Sequence, residues 1–162
     1  MDAVKDLVVV LEDEVRVGED LLHNLFAQHN AILAWNASVL LERLTEKELL
    51  LYRLANIEAQ QKELTTRVAD LPAGQELSLT ELLVRLPATP EREALKSLRD
   101  RAGKVYGRVQ TEERHLAGLL ENLLGHMREM LSPLSHTPVH LYGRSGTTSL
   151  SRPASGLIQG KA

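Results

Sequence analysis

Residues 90–131 read PEREALKSLRDRAGKVYGRVQTEERHLAGLLENLLGHMREML, and their spacing decides the fold. The run is opened by Thr89-Pro90-Glu91: a capping hydroxyl, a proline at the first helical position and an acid in the first turn. No further proline appears until Pro133. Between them Leu95, Leu98, Ala102, Val105, Val109, Leu116, Leu119, Leu123 and Met130 recur at heptad-like spacing. A second apolar row, Leu120, Leu124, Met127 and Leu131, joins the first toward the end of the run. At ~1.5 Å per residue such a helix spans roughly 60 Å, and it cannot bury both rows without partners.

Working outward, two more long helices precede it. From about Asp2 to Trp35, Val4, Val8, Leu11, Val15, Leu22, Leu25 and Ile32 keep the same spacing, interrupted at Gly18 and His29. Asn36-Ala37-Ser38 supplies capping side chains and a break. The second helix then runs to about Asp70 with Leu40, Leu44, Leu51, Leu54, Ile57, Leu64 and Val68 turned inward. A short polar break of this kind favours an antiparallel hairpin over 2–70, with Trp35 as a packing plug at its closed end. Leu71-Pro72-Ala73-Gly74 ends the second helix, and residues 71–89 form a connector. The connector holds one short helix, capped by Ser78 with Glu81 three residues later. The predicted fold is all-α: an elongated helical hairpin, a third long helix packed as in a coiled coil, and a tail.

The tail, residues 132–162, is of a different chemistry. It contains no Asp or Glu, and Arg144, Arg152 and Lys161 give it +3, leaving −6 on the remainder of a chain whose net charge is −3. Its Ser, Thr, Gly and Pro content predicts disorder. Two apolar islands, Val139 with Leu141 and Tyr142, and Leu157 with Ile158, have the form of docking motifs.

Composition excludes several classes. With 162 residues, one Phe, one Trp and no cysteine, the chain suits a single helical domain, without disulfides and without an aromatic-lined substrate pocket. A negative balance disfavours nucleic acid as a partner. Acids at Asp2 and Asp6 and the short apolar run Leu7–Leu11 predict a soluble, cytosolic chain with neither signal peptide nor membrane span. Glu112 and His115 have the Glu-x-x-His spacing of a ferritin-like site, but the chain has no second such pair. His23 and His29 fall on different helix faces, and His126 with Glu129 reads as a surface pair. No nucleophile elbow or phosphate-binding loop is present. Neither catalysis, nor a cofactor, nor a metal is expected.

The stretch His140-Leu141-Tyr142-Gly143-Arg144-Ser145-Gly146-Thr147-Thr148-Ser149 resembles the Leu-Tyr-Gly-x-x-Gly-x-Thr-Ser signature of FlgN-type flagellar export chaperones. The helix end Glu129-Met130-Leu131-Ser132-Pro133 and the segment Leu44-Thr45-Glu46-Lys47-Glu48-Leu49-Leu50 are also similar to that family. The chain departs from it at Glu112, Glu113 and Arg114, where members often carry asparagine. The resemblance implies a cytosolic chaperone, transiently at the membrane export apparatus. Such a protein binds the C-terminal segments of hook-associated proteins and delivers them to the export gate. The client-binding residues expected on that reading are Leu116, Leu119, Leu120, Leu123, Leu124, Met127 and Leu131. Docking to the cytosolic domain of the gate falls to Leu141, Tyr142, Gly143 and Gly146. Heptad spacing also admits a homodimer, or a self-associating scaffold without a client.

Overall fold

The computed structural model describes residues 2–70, 72, 75 and 77–133. Four helices occur among them: α1 (Asp2–Leu33), α2 (Ala37–Val68), α3 (Leu79–Arg85) and α4 (Pro90–Leu131). The chain divides into two units, Met1–Gly118 and Leu119–Ala162, and the packing that follows belongs to the first.

Helices α1 and α2 form the antiparallel hairpin. Asn24 lies against Arg43 and Glu46, while Asp13 reaches back to Arg53 at 3.8 Å, so residue numbers rise along one helix as they fall along the other. The turn between them is closed by backbone bonds. Trp35 N–H donates to the Ile32 carbonyl at 3.1 Å and Asn36 N–H to the Ala31 carbonyl at 2.9 Å. That pattern requires a left-handed residue after the helix, normally glycine, and here Trp35 takes it with φ 53°. The Asn36 side chain then accepts from Val39 N–H at 3.1 Å and caps α2. Trp35 is 70% exposed. It does not plug the hairpin end as its position suggested, because the left-handed backbone directs the chain outward at that residue.

Helix α4 runs parallel to α1. Val8 and Val9 line a groove with Pro90 and Ala94, and ten residues further along α1 Gly18 meets Val105 and Tyr106. Gly18 permits that approach: a Cβ there would lie 2.8 Å from Val105 Cγ1 and 3.2 Å from Tyr106 Cζ. Tyr106 donates its hydroxyl proton to the Glu14 carbonyl at 3.0 Å, and Arg101 pairs with Glu19 at 2.6 Å. Lys47 of α2 reaches Glu113 of α4 at 2.7 Å.

The core is aliphatic. Leu7, Leu11, Leu64, Leu82, Leu83 and Leu95 pack as one cluster drawn from all four helices. Helix α3 is short, and its caps hold it. Ser78 Oγ accepts from Glu81 N–H, and the Glu81 carboxylate accepts from Ser78 N–H at 2.9 Å. That back-bonding holds the Glu81 carboxyl below the usual range. Arg92 Nε donates to the Leu83 carbonyl at 2.8 Å and ties α3 to the first turn of α4.

α1 is covered along two sides, so Leu7, Val17 and Leu21 are buried along with Leu11, Val15, Leu22, Leu25 and Ile32 of the predicted stripe, while Val4 and Val8 are half-buried. The predicted inward stripe of α2 is only partly covered. Ile57 and Leu64 are buried, but Leu44 and Leu51 are exposed, as are Leu41, Leu49 and Tyr52. The first half of α2 therefore carries more leucine than the bundle covers.

Candidate functional site

The face that sequence spacing singled out lies along the end of α4. Leu116 belongs to the first unit and is 6% exposed. The other six expected client-binding residues belong to the second unit, whose described part is the last turns of α4 and the two residues after it. There Leu119 and Leu123 are half-buried. Leu120 and Met127 are exposed, Leu124 is 51% exposed and Leu131 is 57% exposed. The intervals between Leu120, Leu124, Met127 and Leu131 alternate four, three and four, which keeps these side chains on one side of a helix. Met130 is also exposed, next to this row in sequence.

The polar residues around the row are simple. His126 Nδ1 lies 3.7 Å from Glu129, with both side chains largely in water; such a pair is worth about 0.2–0.5 kcal/mol to the helix. Ser132 N–H donates to the Arg128 carbonyl at 2.9 Å and closes the last turn. Glu112 and His115 are likewise 3.7 Å apart, and among the described residues no group of three or more His, Asp or Glu side chains is placed to hold a metal ion. An apolar groove of about 430 Å³ between α1 and α4 is lined by Lys5, Val8, Val9, Glu12, Pro90, Glu91 and Ala94. It is open, and Lys5, Glu12 and Glu91 supply its charged groups.

The segment Leu44–Leu50 of α2 has a positioning role. Glu46 accepts from Arg43 at 2.7 Å and from Asn24 at 2.9 Å, while Lys47 bonds to α4. The Arg43 and Asn24 hydrogen bonds hold the Glu46 carboxyl below the ordinary range. Asn24 also donates to the Arg43 carbonyl and accepts from Gln28 Nε2 at 2.6 Å, so the buried amides are satisfied. Spacing did not reveal this cluster, although Asn24 and Gln28 stand four apart, as a mutually bonded pair on a helix must. The expected gate-docking residues Leu141, Tyr142, Gly143 and Gly146 lie outside the described residues.

An all-helical bundle with an exposed apolar row at the end of its longest helix has the form of a helical binding protein. The chain belongs to the FlgN protein family, whose profile matches residues 1–150 and so takes in the His140–Ser149 stretch. The family is one of flagellar export chaperones, and flagellar proteins are its kind of partner. No curated protein and no solved structure matches the chain.

Proposed function

We propose that the chain is a cytoplasmic chaperone that holds the C-terminal segments of hook-associated proteins on the end of α4. It prevents their early assembly and releases them at the export gate. The observation that carries this reading is the exposed row Leu120, Leu124, Met127 and Leu131 in a member of the FlgN family. An amphipathic segment laid on such a row buries its own apolar side, and methionine adapts to more than one client. Leu119 and Leu123 form the inner margin of the contact. Leu116 is part of the same proposed set, although it is buried in the first unit. Residues Leu141, Tyr142, Gly143 and Gly146 form the contact to the cytosolic domain of the gate. Handover requires moderate affinity, and a segment that orders on binding keeps affinity moderate.

Calorimetric titration with those C-terminal segments tests the reading, using the full chain and a Leu120→Glu, Leu124→Glu variant. Binding at about micromolar Kd, weakened at least about 100-fold in the variant while helicity is kept, is the expected result. Equal binding by both places the client elsewhere. A folded parent chain that binds none of the segments refutes the chaperone assignment.

A further inference from the structure

The closed end of the α1–α2 hairpin combines three properties that client binding does not use. The first is charge. Charged residues make up 25% of the chain, yet from Leu21 to Leu41 it carries no Asp, Glu, Lys or Arg. The second is exposure: Phe26, Leu33, Trp35 and Leu41 are all exposed, and they include the chain's one Phe and its one Trp. The third is backbone geometry. Trp35 occupies a left-handed conformation that glycine would fill without strain, while packing against little of the bundle. A strained, exposed tryptophan in a well-bonded turn points to a role outside the fold.

We propose that this hairpin tip inserts Leu33, Trp35 and Leu41 into the headgroup–acyl boundary of a lipid bilayer. The order of charge along the hairpin complements that of a membrane surface. An uncharged cap meets the acyl boundary, and behind it Glu42 and Arg43, with Arg43 beside Asn24 of α1, bring both signs to the level of the headgroups. The helical rise from Ala37, where α2 begins, to Leu41 is about 6 Å, within the ~5–10 Å to which interfacial segments sink. Tryptophan is the side chain that favours this boundary, having a large apolar ring and one N–H to leave in the polar layer. Among the described residues no helix is long and apolar enough to cross a membrane, so the contact is peripheral. The proposal is independent of client binding, since the tip and the end of α4 share no residue.

Because Trp35 is the chain's one tryptophan, its fluorescence reports the tip directly. The full chain is mixed with phosphatidylcholine vesicles, alone or with phosphatidylglycerol. The expected result is a blue-shifted emission, shielded from acrylamide and quenched by lipids brominated high on the acyl chain. Added salt leaves the shift in place, because the inserted cap is uncharged. Leu33→Ser with Leu41→Ser weakens vesicle binding at least about tenfold, and Trp35→Gly abolishes co-sedimentation while circular dichroism stays helical. Emission unmoved by either vesicle overturns the proposal. So does co-sedimentation undiminished in folded Trp35→Gly, which places the contact elsewhere on the chain. A blue shift that follows protein concentration without lipid also overturns it and makes a second copy the occupant.

Discussion

Trp35 sits in a backbone conformation that glycine adopts without penalty, at a cost of about 1–3 kcal/mol for a bulky side chain. Its ring contributes little burial in return. Trp35→Gly is therefore expected to raise the free energy of unfolding by about 1 kcal/mol, measured by urea denaturation. Unchanged or lower stability would show that the ring packs after all. Glu14 presents the opposite case, a carboxyl set inside the bundle near Tyr106. Burial, and then the Glu58 carboxylate, push it above its ordinary 4.5; burial with the same two acids pushes the Tyr106 hydroxyl up as well. A raised carboxyl binds its proton more tightly in the folded chain. Its stabilising contribution is thus complete below pH 4.5 and lost as pH rises through the raised value. Glu14→Gln is expected to be more stable than the parent at neutral pH, with the difference shrinking toward pH 4. Denaturation curves of the two proteins across that range test this, and parallel pH profiles would refute it.

At the scale of the element, what was legible depended on how local its cause was. The Ser78–Glu81 box, the Asn36 cap and the Thr89 start are decided within four residues, and each appears in the structure. Ser78→Ala is expected to cost about 1 kcal/mol and to speed amide exchange in α3 before that in α1; equal protection in parent and variant would make the box dispensable. Burial along the helices depends on neighbours, and spacing cannot name those. Spacing draws the stripe on α1 too narrowly, because α2 and α4 cover α1 from two sides and take in Leu7, Val17 and Leu21, while Val4 and Val8 of the stripe stay half-buried. The stripe on α2 was read too generously: the bundle covers Ile57 and Leu64 and leaves Leu44 and Leu51 in water. On α4 one apolar pattern continues from Leu95 to Leu131, and periodicity alone does not mark where burial gives way to exposure. Trp35 was read as a plug because aromatic residues usually pack; the signal against it was the uncharged run on either side.

For the molecule as a whole, every buried apolar residue among those described lies between Leu7 and Leu116. A chain ended after Leu131 is thus expected to keep the parent's thermal midpoint, measured by circular dichroism. On the proposed function it also loses affinity for the gate's cytosolic domain while retaining that for clients. A lowered midpoint would show that residues 132–162 add to the core. Family membership was legible mainly in the tail signature, whereas the bundle's own sequence is of a kind that many helical proteins share.

The cluster in which buried Asn24 and Gln28 meet exposed Glu46 has a consequence for chain length. Asn24 meets both the Arg43 carbonyl and the Glu46 carboxylate, so the stretch between them behaves as a ruler closed on itself. One residue added within either arm would turn everything beyond it by about 100° and carry an amide away from its acceptor. Leucines along these helices can be exchanged for isoleucine or methionine at modest cost, but the number of residues between the partners cannot drift. Inserted residues belong at the Trp35 turn or in the connector after Asp70, where extra length can loop out without turning a helix.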